Sequence, residues 1–311
     1  MITKGAIDKT NLVDELVFTN SARLAFSHIL KNIKNHFGGL NVLLPAYIGI
    51  TDREGSGIFD PIVANNASYE FYALNKNLEI DINYLSALVE ENEFNVLLIV
   101  HYFGICKNNL NAIRELCDTY NVILIEDCAH AFHIGMSEQK LGVIGDYSFY
   151  SVHKHLPVAS GGILKINSQK FNLNELSDKD RMTNEIMKQL IQTRFSEVAE
   201  KRRSNFLIYR ELLEGISNIH IMYDLDNHEI PQTFPVLVNN GLREKLYFWL
   251  MERNLPVIAL YYRLIENIDR NKFPNSYEVS NSILNLPVHQ DIGLTDIENL
   301  CKSIKEFFKE L

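Results

Sequence analysis

The chain has 311 residues, 46% of them hydrophobic, and a formal net charge of −9. Its length predicts about two domains, and its apolar content is ample for a real core. The acidic balance argues against nucleic acid and anionic membranes as main partners, and no apolar run is long enough to span a bilayer.

Taken in chain order, Ser21 to His36 reads as a helix with an apolar stripe of Ala25, Ile29 and Ile33. Asn41–Pro45 is a short buried strand stopped by proline. Glu54–Pro61 reads as a loop, Tyr69–Leu74 as a strand and Asp81 to Glu91 as a helix. The most regular part follows. Asn95–Val100 is a strand, and Leu110, Ile113, Leu116 and Tyr120 recur at helical spacing. Val122–Glu126 is the next strand. Strand, amphipathic helix and strand in this order make a βαβ unit, whose strands are parallel and whose crossover is right-handed. His101 and Asp127 therefore both stand at carboxyl ends of parallel strands, the edge where open α/β sheets bind ligands.

Glycines then punctuate two further strands, around Tyr147–Tyr150 and Ile163–Ile166, with Lys154 between them. From Arg181 a single long amphipathic helix is expected to about Ile216, and Lys201-Arg202-Arg203 on it reads as a solvated face. It leads to a smaller α/β domain that holds Thr233–Val238 and a closing helix, Ile297–Phe308. The domain reading is 1–205 and 206–311. The four cysteines form no CxxC pair and read as buried free thiols, and no metal site is expected. The opening residues do not read as a signal peptide, so a reduced cytoplasmic compartment is expected.

The chemistry gathers at Glu126-Asp127-Cys128-Ala129-His130. An acid is rarely left at the tip of a buried strand without a partner. A lysine in apolar and cationic surroundings can lose its proton near neutral pH and attack a carbonyl. A strand-tip acid, a nearby histidine and such a lysine together suit pyridoxal 5′-phosphate (PLP). That cofactor needs a lysine for its Schiff base and an acid opposite its pyridine nitrogen. Each residue has a plainer reading as well: Lys154 as a surface-loop lysine, Ser21 as an N-cap, and His130 and His101 as core histidines.

With these residues in place, the sequence resembles the DegT/DnrJ/StrS family of PLP-dependent nucleotide-sugar aminotransferases, of the aspartate-aminotransferase (type I) fold. The resemblance runs from roughly Thr19 onward. It rests on Val42-Leu43-Leu44-Pro45-Ala46-Tyr47, Val100-His101-Tyr102-Phe103-Gly104, Glu126–His130, Gly142–Asp146, Ser148-Phe149, Lys154, Gly161-Gly162 and Leu286-Pro287. It implies an α/β fold with a central, mostly parallel sheet in a large domain and a small C-terminal α/β domain.

The resemblance also implies roles. Lys154 would carry the cofactor and then shuttle a proton, Asp127 would bond the pyridine nitrogen, and His130 would lie against the ring or near its phenolic oxygen. Backbone N–H groups at Ser21, Ala22 and Arg23 would cradle the phosphate. His101 and Arg181 are expected at the substrate, Arg181 from a partner subunit of a homodimer. The sequence departs from the family at several points. Phe149 stands where a phosphate-binding serine is usual, so Ser151, or Ser148, is expected to take its part. Ser21-Ala22 replaces a Gly-Ser/Thr pair. The aromatic that usually stacks on the ring after the proline motif is absent, and Tyr47 is expected to stack instead. A lysine rather than a histidine at 154 favours transamination over dehydration. The implied activity moves an amino group from an amino acid, glutamate foremost, to a keto-sugar nucleotide. Two alternatives stand beside it: a PLP enzyme acting on another carbonyl substrate, and a catalytically silent paralogue with a binding role.

Overall fold

The computed structural model describes residues 16–131, 141–168, 170–227 and 229–311. Its elements in order begin with β1 (Leu16–Thr19), α1 (Ala22–Phe37), β2 (Asn41–Pro45), α2 (Phe59–Ala64), β3 (Ser68–Tyr72), α3 (Ile82–Glu91) and β4 (Val96–Val100). There follow α4 (Leu110–Thr119), β5 (Ile123–Cys128), β6 (Tyr147–Ser151), β7 (Gly162–Ile166), α5 (Asn184–Gln192) and α6 (Phe195–Leu213). The chain closes with β8 (Ile219–Ile221), β9 (Thr233–Val238), α7 (Arg243–Glu252), α8 (Pro274–Ser282), β10 (Ile283–Pro287) and α9 (Leu294–Lys309).

Seven strands form one sheet in the order β1-β7-β6-β5-β4-β2-β3, and three form another in the order β10-β9-β8. In the large sheet β2 pairs parallel with β3 and β4, β4 with β5 and β5 with β6. Only β7 runs against its neighbours β6 and β1. The centre is buried on both faces: Val96–Val100 and Ile123–Cys128 are buried at every position. That suits a parallel sheet covered by helices on both sides. The register pairs Val100 with Asp127 and Asp127 with Phe149. The carboxyl ends of β4, β5 and β6 thus form one edge.

Two expectations need correcting. The segment expected as a loop through Pro61 turns into α2 at Phe59, with the Ser56 hydroxyl accepting the Phe59 N–H at 3.1 Å. The long helix after Arg181 is broken at Thr193, whose backbone is extended (φ −74, ψ 134). Thr193 donates its hydroxyl to the Gln189 carbonyl at 2.8 Å, a local bond that competes with the helix ladder. The expected junction between residues 205 and 206 falls inside α6.

Arg202 also departs from the solvated reading. It is buried. Its guanidinium donates to Gln290 Oε1 and to the carbonyls of Pro231 and Gln232, at 3.1–3.3 Å. Burial pulls its pKa down to about 10, against the opposing pull of Asp291. The periodicity of α6 could not show this, because the acceptors come from loops far along the chain. Segments flanking the small sheet also join segments flanking the large one through backbone bonds. Ile50 N–H donates to the Arg263 carbonyl at 3.1 Å, Ile265 N–H to Ile48 at 3.0 Å, and Gln232 N–H to Phe103 at 2.7 Å.

Candidate active site

The edge made by β4, β5 and β6 opens into a cavity of about 750 Å³. Ser21, Ala22 and Arg23 from the start of α1, Asp127 and His130 from the tip of β5, and Phe149, Ser151 and Lys154 from the tip of β6 all line it. Seven of the residues expected at the cofactor or the reacting atoms (Lys154, Asp127, His130, Ser21, Ala22, Arg23 and Ser151) thus meet in one space.

Local structure explains the placement. Ser21 N-caps α1, its hydroxyl accepting the Leu24 N–H at 3.2 Å. The first-turn N–H groups at Ala22 and Arg23 have no intrahelical acceptors, which makes the helix start an anion site. The start of β7 presses against it. Gly161 N–H donates to the Asn20 carbonyl at 2.8 Å. A Cβ on Gly162 would lie 2.2 Å from the Ser21 carbonyl carbon, so only glycine allows this approach. The Arg23 guanidinium braces the loop across the mouth, donating to the Glu54 carbonyl and lying 3.6 Å from Asp60.

The electrostatics are opposed across the cavity. Burial pushes the Asp127 carboxyl above its usual range; the Ala129 N–H at 2.8 Å and the charges of Lys154 and His101 only partly offset it. Burial pulls the Lys154 ammonium below its usual range, against the pull of Asp127 and Glu54. A buried acid needing a cation and a lysine nearer its neutral form share one space. His130 is pushed well below its ordinary value by burial and by Lys154 and His155.

Three expected residues lie elsewhere. His101 does not line the cavity. It is buried with Nε2 2.7 Å from Glu126 Oε2. Its pKa stands well above the ordinary value against the opposing effect of burial, with Cys106, Cys128 and that carboxylate beside it. Glu126 also accepts N–H groups from Gly142 at 2.9 Å, Ile144 at 2.8 Å and Gly145 at 2.6 Å. His101, Glu126 and Cys128 are grouped as metal ligands would be, but hydrogen bonds already take both Glu126 oxygens. The pair is a structural clamp, and His101 is withdrawn from the substrate.

Tyr47 is fully buried and does not face the cavity either. Its ring packs on Tyr102 at 5.4 Å and Tyr261 at 5.2 Å. Arg181 also stands outside its own chain's cavity, in a bridge to Thr19 and 3.5 Å from Asp178. Ser148, the second candidate for the phosphate, bonds the Gly142 carbonyl at 2.9 Å and turns away. Ser151 faces the cavity, its hydroxyl 3.2 Å from His153 Nδ1.

The sequence reading missed the opposite wall. It comes from the C-terminal part of the chain: Arg243, Glu244, Tyr247 and Phe248 on α7, and Val257 to Tyr262. Tyr261 packs against the β4 and β5 side of the cavity. Its ring lies 5.8 Å from His130 and 6.1 Å from Phe103. Gly49 makes room for it, since a Cβ there would lie 2.7 Å from the ring. Tyr261 holds a left-handed φ of 60° and its carbonyl accepts the Ser280 hydroxyl at 2.7 Å. The only signal in the sequence was an aromatic pair, Tyr261-Tyr262, in a stretch without periodicity.

With this geometry in hand, a family model covers residues 60–178 and 180–305. The chain belongs to the DegT/DnrJ/EryC1/StrS aminotransferase family. The family's curated relatives include the GDP-perosamine synthase of Vibrio cholerae, 25% identical over 253 residues that cover 68% of this chain and 66% of that protein. The dTDP-4-amino-4,6-dideoxy-D-glucose transaminase of Shigella dysenteriae is 23% identical over 248 residues, covering 69% and 66%. The chain thus spans just under two thirds of the length of these relatives. The PLP form of Spr1654 from Streptococcus pneumoniae shares the fold. Its TM-score is 0.78 at 17% identity, covering 95% of this chain and 87% of that one.

Proposed function

We propose that this family member is a PLP-dependent aminotransferase that moves an amino group from an amino acid, glutamate foremost, to a keto-sugar nucleotide. The observation that carries the reading is the meeting of Lys154 and Asp127 in one cavity, where burial favours the neutral, nucleophilic form of Lys154 and leaves the Asp127 carboxyl in want of a cation. The transaminase relative from Shigella dysenteriae supports sugar transamination, and Spr1654 was solved in both PLP and PMP forms.

The residues present fit the cofactor. The start of α1 against Gly162 offers backbone N–H groups to a phosphate, and Ser151 adds a hydroxyl. Phe149, stacked on Phe26 at 4.9 Å, makes the remaining wall apolar. Bound there, PLP supplies an electron-withdrawing ring and a carbonyl that takes up the amine. Lys154 in its neutral form would be the nucleophile that holds the cofactor and then the base that moves a proton between substrate and cofactor carbons. Asp127 holds a proton on the ring nitrogen, and a cation at that carboxylate offsets the cost of its burial. The second-domain wall at Tyr261 excludes water from the reacting side.

The reading includes a cytoplasmic homodimer in which Arg181 of one chain serves the partner's cavity. Arg181 supports this by its place: it is exposed, and its segment lies against the chain that leads into α1, with Asn20 N–H donating to the Asp180 carbonyl at 2.9 Å. A guanidinium there can grip a phosphate or carboxylate in two places. Among the described residues no helix is long and apolar enough to cross a membrane.

Borohydride reduction of the protein with added PLP should fix the cofactor on Lys154, read by peptide mass, and Lys154→Ala should lose the adduct. A wild-type adduct on another lysine, or none, overturns the assignment. Mixing inactive Lys154→Ala and Arg181→Ala chains should restore part of the activity. A dimer without such rescue removes Arg181 from the partner's site.

A further inference from the structure

We propose that the backbone N–H of Phe103 fixes His130 as its neutral Nε2–H tautomer, so that the cavity wall carries a standing hydrogen-bond donor aimed at an acceptor oxygen of the bound ligand. Phe103 N–H lies 3.2 Å from His130 Nδ1, buried. A backbone N–H can only donate, so Nδ1 must be the bare, accepting nitrogen. In a neutral imidazole the proton then sits on Nε2. His130 lines the cavity, and Nε2 has no hydrogen-bond partner among the described residues although it is not one of the sealed, unsatisfied atoms. The donor therefore opens on the cavity.

The turn that aims the N–H is over-determined. Phe103 adopts a left-handed conformation (φ 58, ψ 13), followed by Gly104 at φ 81. A bulky residue holds that conformation only where its surroundings impose it. Here the Phe103 carbonyl accepts the Gln232 N–H at 2.7 Å, and the Gly104 N–H donates to His101 at 3.2 Å. A Cβ on Gly104 would lie 2.4 Å from the Ile230 carbonyl oxygen and 2.6 Å from that of His130, so the position accepts glycine alone. The groups facing His130 favour neutrality as well. Burial, Lys154 and His155 all push its pKa down, so the imidazolium that would place a proton on Nδ1 is disfavoured.

Phe103 is thus a positioning residue, acting through its main chain. The acceptor's identity as an oxygen of PLP or of its substrate rests on the function proposed above; the tautomer itself does not.

The test is two-bond nitrogen–proton correlation spectroscopy on ligand-free protein with labelled histidine, His130 being assigned by the signals lost in His130→Gln. His130 should show an acceptor-type Nδ1 and a protonated Nε2, unchanged from about pH 8 to about pH 6, across the range where an ordinary histidine titrates. A proton on Nδ1, an averaged mixture of tautomers, or an imidazolium signature in that range overturns the proposal. Phe103→Ala keeps the N–H and should keep the signature; a mixture in that variant would show that ring packing holds the imidazole, which also overturns it. Added PLP should shift the Nε2 proton signal. Bound cofactor that leaves Nε2 unmoved overturns the donor role. Failure of PLP to bind at all tells against the proposed function and leaves the tautomer result standing.

Discussion

Glu126 and Asp127 are adjacent in sequence, both buried, and displaced in opposite directions. Successive strand residues point to opposite faces, so the tip of β5 serves two regions at once. On the Glu126 side, His101 and three backbone N–H groups take both carboxylate oxygens. Although burial alone would raise it, these partners hold the Glu126 pKa below its usual range. On the Asp127 side, one backbone N–H and two more distant cations leave burial dominant, and the carboxyl stands high. The difference teaches that a buried acid alone is not evidence of chemistry. A carboxylate with both oxygens bonded marks the structural side, and the unbalanced charge marks the side built for a ligand.

The contrast can be broken by substitution. Asp127→Ala should lower the transamination rate about a thousandfold, roughly 4 kcal/mol of transition-state stabilisation, while the protein stays folded. Steady-state kinetics beside a thermal melt decide this, and full activity would put Asp127 on the structural side. Glu126→Ala should do the reverse. It strands a buried His101 and three N–H donors, so denaturant unfolding should show a loss of about 3 kcal/mol or more.

Acid titration sharpens the same comparison. The folded pKa of Glu126 is lowered, so its stabilisation is present above the unfolded value of about 4.3 and is lost as pH falls through the folded value. Glu126→Gln should flatten that acid loss. The folded pKa of Asp127 is raised, so stability is lost as pH rises through it from the unfolded value of about 3.9. Ligand-free Asp127→Asn should therefore be more stable than the wild type at neutral pH, with the gain vanishing in acid. Stability curves moving the same way in both variants would erase the distinction. The smallest effect is expected at the phosphate. Ser151→Ala, which removes the hydroxyl offered to the phosphate, should weaken PLP affinity by about 1.5 kcal/mol, as for a hydrogen bond to a charged group, measured by absorbance titration.

Much of this was legible from the sequence because it is local. Strand-tip placement of Asp127 and His130 follows from a βαβ unit, the cap at Ser21 from a polar residue before an amphipathic run, and Lys154 from its place between two strands. Three things were decided only by tertiary structure. Which face each residue at the tips of β2 and β4 takes depends on the packing of the sheet, and it sent Tyr47 and His101 into the core. Arg202 was buried by carbonyls some 30 to 90 positions further along the chain, which no helical periodicity can register. The wall at Tyr261 arises because the C-terminal part of the chain folds back through the bonds at Ile50 and Ile265, and because Gly49, by lacking a side chain, leaves space for a ring from more than two hundred residues away. Hydrophobic period and capping act within a few residues of one another; the assignment of a side chain to core or cavity is settled by what arrives from the rest of the chain.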